Sequence, residues 1–339
     1  MLHTLIVGLG RSGEGLHLPS LAKARDREPT LFAPGPVLGF DPFLPPVDGV
    51  LAVGSLAEAA DRARPEDTVV HLCTPPHVRS GLLAALAETG YRRVIVEKPL
   101  ALDLVGLAEI ARVRRSRGLD ITVSTQWLDS ALTRRLRSAV RSGPFGRLRS
   151  VTIVQNKPRF TRTARVPGHP TAFDVEVPHA LAVAIALAGP ADVARAELED
   201  MVTERTRQPG MGRARLDLRH HAGVRTRIDS DLTSPVRERR ITLRFDGAEL
   251  IGHYPCSAAD HTAQLRVEVP GRKTFHSVFD DDALTAFLVS AYTRYADPSP
   301  PVGDLPGQVE AVRLLVEAKR LCAPAPAPAA QEVARAVGA

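Results

Sequence analysis

The strongest constraint on the fold lies in residues 1–125, where short apolar runs alternate with amphipathic stretches of helical length, the pattern of βαβ units feeding a parallel sheet. Leu2 to Gly8, Val37 to Asp41, Thr68 to Thr74, Arg93 to Glu97 and Asp120 to Ser124 read as strands. Gly13 to Arg25, Leu56 to Ala63, Val78 to Thr89 and Val105 to Arg117 read as helices, because each spaces apolar residues three or four apart and can lay one face on the sheet. Gly90 and Gly118 stand where glycines end helices. From about Arg147 the texture changes. Longer β-type runs follow one another at Leu148 to Gln155, Ala214 to His220, Val224 to Leu232, Arg239 to Phe245 and Leu265 to Val269, with a strong helix at Pro178 to Leu187. Strands without intervening helices indicate a mostly antiparallel sheet in an α+β domain. Late helices at Asp281 to Tyr295 and Leu305 to Leu321 are free to pack back on the first domain. The expected organisation is an α/β Rossmann-type domain at 1–125, an α+β domain at 126–322 and a Pro/Ala-rich tail at 323–339 that carries a short last helix.

Composition closes off several function classes. With 44% hydrophobic and 24% charged residues, the chain is neither disordered nor collagen-like. No apolar run is long enough for a membrane span, and the start MLHTLIVGLG lacks the basic region and cleavage site of a signal peptide, so a cytoplasmic location is expected. Cys73, Cys256 and Cys322 are odd in number and have no metal-ligand spacing, which points to reduced thiols and no structural zinc. The formal charge of +6 raises nucleic acid as a partner. Against it, only five of the 44 basic residues are lysine, and the arginines spread through almost every amphipathic segment. The densest group, Arg112, Arg114, Arg115 and Arg117, closes a helix, where cations oppose the negative end of its dipole.

Three motifs carry chemistry. The first strand runs into Gly8-Leu9-Gly10-Arg11-Ser12-Gly13 and then a helix: glycines for a tight turn, for close approach of a pyrophosphate and for helix packing, with helix N–H groups facing the anion. Asp41 closes the next strand 28 residues after Gly13, an interval lengthened by the Pro-rich stretch Ala33 to Pro36. A carboxylate there accepts hydrogen bonds from the adenosine ribose and repels a 2′-phosphate, which favours NAD(H) while leaving NADP(H) possible. Cys73-Thr74-Pro75-Pro76-His77 and Glu97-Lys98-Pro99 end two further strands, and ligands bind at that edge of an open parallel sheet. Lys98, one of five lysines, falls there; its amine can exchange a proton with a substrate oxygen if burial or nearby positive charge lowers its pKa.

In GLGRSG, TPPH and EKPLA, followed by a β-rich second half, the chain resembles the Gfo/Idh/MocA oxidoreductases, named for glucose–fructose oxidoreductase and inositol dehydrogenase. The resemblance covers nearly the whole sequence, and Glu-Lys-Pro is its most specific part. It implies a Rossmann domain followed by a domain built on a large, open, mostly antiparallel sheet whose free face commonly makes an oligomer, a dimer or tetramer. It also implies Lys98 as catalytic lysine, a cis peptide before Pro99, and sugars, cyclitols or their keto and amino derivatives as substrates. Members usually carry Asp and His four residues apart on a helix beside the nicotinamide. Here the matching stretch is Ala172 to His179: His179 fits, but Val175 stands in the Asp position, flanked by Asp174 and Glu176. On a helix Glu176 lies about 60° from His179 and Asp174 about 140°, so Glu176 is preferred as the carboxylate partner, although either acid could instead cap the helix. Gln126 and Trp127 sit where such enzymes approach the substrate or nicotinamide, and Arg159, Arg162 and Arg165 could read an acidic or polyhydroxylated substrate. Two other classes stay open: a dinucleotide-binding sensor without turnover, and a reductase of C=N or C=C bonds.

Overall fold

The computed structural model describes residues 1–165, 169–204, 206–257, 259–297 and 305–323, with the side chains of Ala164 and Arg165 outside the description. In chain order the first half comprises β1 (His3–Val7), α1 (Leu18–Arg27), β2 (Val37–Phe40), β3 (Val50–Ala52), α2 (Leu56–Arg62), β4 (Thr68–Leu72), α3 (Arg79–Glu88), β5 (Arg93–Glu97), α4 (Leu104–Arg117) and β6 (Asp120–Ser124). The six strands form one parallel sheet in the order β3-β2-β1-β4-β5-β6, so the order reverses beside β1 and leaves a crevice at the strands' C-terminal edge. Asp103 starts α4 by accepting from the Gly106 amide at 2.8 Å, and Gly118 ends it in the left-handed region at φ 64°. The edge strand β3 escaped the sequence reading because three residues, largely exposed, carry no alternation.

The second half continues with α5 (Ala131–Ser142), β7 (Leu148–Asn156), α6 (Phe160–Arg165), α7 (Val177–Ala188), β8 (Ala191–Leu198), β9 (Met201–Val202), β10 (Arg207–Gln208), β11 (Arg213–His220), β12 (Arg225–Asp231), β13 (Glu238–Phe245), β14 (Glu249–His253), β15 (Thr262–Glu268), β16 (Phe275–Asp280), α8 (Ala283–Ala296) and α9 (Leu305–Cys322). Eight of these strands form a sheet in the order β16-β15-β14-β13-β7-β12-β11-β8, antiparallel at every step except β7 with β12. The fold class is therefore the expected one. Alternation sets the sheet's faces: Val151, Ile153, Ile228, Ile241 and Leu243 point to a core shared with α7, nearly all of which is buried. The opposite face carries Arg213, Arg215, Asp217, Arg227 and Asp229, joined in cross-strand ion pairs such as Arg213 with Asp229.

The last two described helices return to the first half. On α8, Phe287, Leu288, Ala291, Tyr292 and Tyr295 pack with Leu21 of α1 over Ile6, Val69 and Ile95 of the parallel sheet. Val312 of α9 joins the core on that sheet's other face, while Leu314, Leu315 and Ala318 join the core under α7. Polar contacts lock the return: Tyr292 and Thr4 share a 2.6 Å hydrogen bond, Arg294 donates to Asp120 at 2.8 Å, and the Tyr295 hydroxyl donates to Val94 O at 3.0 Å. Asp281, just before α8, accepts from Ser130 Oγ at 2.5 Å and the Ala131 amide at 2.6 Å, so one carboxylate caps α5 as well. All but Ala323 of the Pro/Ala-rich tail, with its expected helix, lies outside the described residues.

Candidate functional site

The C-terminal ends of β1, β4 and β5 open into a crevice of about 520 Å³ whose other wall comes from the second half. At its mouth, Gly8 adopts φ 93°, a backbone region that side chains rarely tolerate. A Cβ on Gly13 would stand 2.1 Å from Gly8 O, whereas a Cβ on Gly10 would meet nothing closer than Leu44 at 3.9 Å. Two glycines are thus required by the chain itself, and the third leaves backbone open to a ligand. A π-helical turn over Gly13–His17 leads into α1; the amides of Glu14, Gly15 and His17 already donate to Gly10 O, Arg11 O and Ser12 O at 2.9, 3.0 and 2.8 Å, so the N–H groups this helix start leaves for an anion are those of the glycine turn that precedes it. Arg11 and Ser12 line the crevice. This cradle has the shape and the donors that a dinucleotide pyrophosphate needs.

Asp41 follows β2 beside this turn. Its Oδ2 accepts from the Leu9 amide at 2.8 Å and its Oδ1 from the Phe43 and Leu44 amides at 2.9 and 3.2 Å, so the carboxylate organises the turn and keeps limited capacity for a ribose hydroxyl. Cys73, Thr74 and Pro75 line the crevice, the Thr74 hydroxyl being buried without a partner. His77 is exposed and does not line it. Buried Arg79 joins the two strand-end motifs by donating to Thr74 O at 3.0 Å and to Pro99 O. The Lys98–Pro99 peptide is cis.

Lys98 Nζ reaches across to the second half and donates to Val175 O at 2.7 Å. Burial holds its pKa below the usual lysine range, against the support of Glu176 and Glu97. Val175, the residue in the expected Asp position, is buried and contributes its main-chain carbonyl. Asp174 faces away from the crevice, accepting from Thr171 Oγ1 at 2.8 Å and Lys319 Nζ at 3.0 Å. Glu176 faces into it. Its expected partnership with His179 does not form: Glu176 Oε1 accepts from Lys157 Nζ at 2.5 Å and Oε2 lies 4.0 Å from Arg239. The cause is position, because Glu176 stands before the first turn of α7 and its side chain meets the end of β7 and the start of β13. Burial opposes ionisation of Glu176, but Lys157, Arg239 and Lys98 outweigh it and hold the carboxylate well below its usual range.

His179, in the first turn of α7, stacks on Trp127 at 5.8 Å between centroids, and Trp127 stacks in turn on Tyr254 at 4.2 Å. The imidazole is fixed by this aromatic column, and its Nδ1 is buried without a partner. Burial, then the nearby Lys98 charge, lowers its pKa to about 3, so it is neutral at pH 7. Gln126 and Arg159 also line the crevice. Behind Lys98, a buried hydrogen-bond chain runs from Glu97 to His17 Nε2 (2.8 Å), from His17 Nδ1 to His71 Nδ1 (2.9 Å), and from His71 Nε2 to the Tyr292 hydroxyl (3.1 Å). Burial alone would discharge His17, but Cys73 and Glu97 raise its pKa to about 10. An imidazolium at His17 donates from both nitrogens, and the Glu97 carboxylate, lowered to about 2 against burial chiefly by this partner, accepts.

Lys157, Arg239, Tyr254, His169, His17 and His71 were not among the sequence-derived candidates. Lys157 carried the same signal as Lys98, a rare residue type at a strand end. The others come from strands, loops and a helix with no local motif. Among the described residues no helix is long and apolar enough to cross a membrane, and no group of His, Cys, Asp and Glu could hold a metal ion.

No family profile and no curated protein matches the chain. Among solved structures, it is similar to a variant of a 3-ketoreductase from Actinomadura kijaniata in complex with TDP-benzene and NADP, with a TM-score of 0.74 at 16% identity over 96% of this chain and 99% of that one. An NAD binding oxidoreductase from Klebsiella pneumoniae gives a TM-score of 0.76 at 14% identity over 94% and 96%. At these identities the likeness shows the fold.

Proposed function

We propose that the protein is a nicotinamide-dinucleotide-dependent oxidoreductase acting between a secondary carbinol and the corresponding ketone of a sugar, cyclitol or amino-sugar derivative. The observation that carries this reading is the convergence of Lys98, from the end of β5, and His179, from α7, on the crevice that the glycine turn opens into. The Gfo/Idh/MocA resemblance of the sequence and the dinucleotide-binding neighbours of the fold support it.

A bound dinucleotide supplies or accepts the hydride at nicotinamide C4. The chain's own residues do the rest. Gly8, Gly10 and Gly13 admit the pyrophosphate, and Thr74 presents a hydroxyl at the cradle's edge. Lys98 Nζ, anchored by Val175 O, points one of its remaining protons at the reacting oxygen; in reduction it gives that proton as the alkoxide forms. Neutral His179 holds the same oxygen through a ring nitrogen, its orientation set by Trp127. Glu176 remains ionised at neutral pH and supports the charge of Lys98. Asp41, placed against the turn, disfavours a 2′-phosphate and so favours NAD(H) over NADP(H).

The test is equilibrium binding of NADH and NADPH by cofactor fluorescence, followed by absorbance at about 340 nm with a panel of ketosugars and inosose-type ketones. Lys98→Ala should lower kcat by about 10²-fold or more while dinucleotide affinity stays near that of the parent. A near-normal rate in that variant removes Lys98 from the chemistry. Binding without turnover of any ketone would instead mark a sensor.

A further inference from the structure

Arg159 and Arg162 line the crevice, and the proton chemistry leaves them unused. Arg159 is only 5% exposed, its amide is held by Leu232 O at 3.0 Å, and its Nε is buried without an acceptor. Among the described residues neither guanidinium has a carboxylate within ion-pair distance. The acids of the crevice are engaged elsewhere: Glu97 with His17 at 2.8 Å, Glu176 with Lys157 at 2.5 Å, Asp282 with Lys23 at 2.9 Å, and Asp281 with the start of α5. Burial, then repulsion from Arg159 and Arg11, draws the Arg162 pKa down to about 10. His169, which also lines the crevice, adds a buried, unpartnered Nδ1 and is kept neutral by burial, then by Lys98, Arg159 and Arg162. Two guanidiniums that repel each other in a half-dry wall, with Glu176 acting on them only from beyond ion-pair contact, form an arrangement that an incoming anion relieves.

We infer that Arg159 and Arg162 are a phosphate subsite, and that the ketone this enzyme reduces carries a phosphate or diphosphate group. This rests on the reading of the site as a hydride-transfer centre. Two positive charges without a carboxylate in contact match a phosphate dianion or the two units of a diphosphate better than a single carboxylate, and planar guanidinium forks suit phosphate oxygens. Arg159 and Arg162 line the same crevice as Lys98 and His179, and Arg159 lies within electrostatic range of Lys98 and Glu176, so the subsite opens on the space where the carbonyl would react. The same chemistry could come from the cofactor's own diphosphate, since Arg11 of the glycine turn is also within electrostatic range.

Isothermal titration calorimetry of NADH-saturated protein with inorganic phosphate, and separately with pyrophosphate, tells these sources apart. Expected is binding in the presence of NADH, weakened about tenfold or more in Arg159→Gln and in Arg162→Gln, with NADH affinity changed less than about twofold. Arg162 is half-buried on α6, so its variant remains informative if Arg159→Gln fails to fold. No binding of either anion to the NADH-loaded protein overturns the proposal. So does a parallel loss of NADH affinity in both variants, which would assign the guanidiniums to the cofactor. Failure of NADH itself to bind would refute the dinucleotide reading; phosphate binding to the free protein that both variants lose would then still uphold the anion subsite.

Discussion

Lys98 and Glu176 show how two residues far apart in the chain set one proton affinity. Burial lowers the lysine, and Glu176 is the largest influence raising it again. In the proposed reaction, ketone reduction needs the ammonium form of Lys98, so its rate should fall as pH rises through the Lys98 pKa. Glu176→Gln removes the supporting charge and frees Lys157 as a second cation, and the alkaline limb of the reduction profile should therefore move to lower pH; a pH–kcat series checks it, and an unmoved limb would separate Glu176 from Lys98. His179 makes a prediction on stability. Its pKa lies near 3 in the folded chain and near 6.5 when unfolded. Below pH 6.5 the unfolded state takes up a proton that the folded state refuses, so stability present above that value is lost as pH falls toward 3. His179→Asn should flatten the urea-derived stability slope across that window by about 1.4 kcal/mol per pH unit. Lys98 and His179 were legible because each sits in a recognisable motif. Arg239 and Tyr254 were not, since only the pairing of distant strands brings them to Trp127.

Among elements, the glycine turn and α7 carry the site. Gly13→Ala would press a methyl group into Gly8 O, and the turn can relieve this only by moving the backbone proposed to face the pyrophosphate. The expected result is a loss of about 2 kcal/mol in chemical denaturation together with weaker NADH binding; stability and binding equal to the parent would show that the turn has slack. The βαβ half was readable because its inner strands are buried on both sides and two of its helices, α3 and α4, are followed by Gly90 and Gly118. Helix α5 was not, although Leu132 and Leu136 sit four apart in it, because arginines crowd the rest of its surface. Strand β16 is an exposed edge, so its sequence FHSVFD shows no inward and outward alternation. The parallel pairing of β7 with β12 has no local signal at all, being a property of the path taken between them.

At the scale of the molecule, the chain builds the parallel sheet, leaves it to build the larger sheet, and then sends α8 and α9 back. The sequence boundary at residue 125 marks where strand patterns change, while the packing runs across it. A fragment of residues 1–125 should therefore show no cooperative thermal transition and should bind a hydrophobic dye, because Ile6, Val69 and Ile95 lose the cover of Phe287, Leu288 and Tyr292. A fragment with a sharp calorimetric transition would contradict this.

That return has a consequence for synthesis in the cell. The strands of the parallel sheet are translated well before α8, the layer that covers one of its faces, and the whole of the larger sheet is made in between. Completion of the parallel sheet's packing must wait until the larger sheet and α8 have followed it, which places an interval of vulnerability, and a demand for holding chaperones, on the nascent chain.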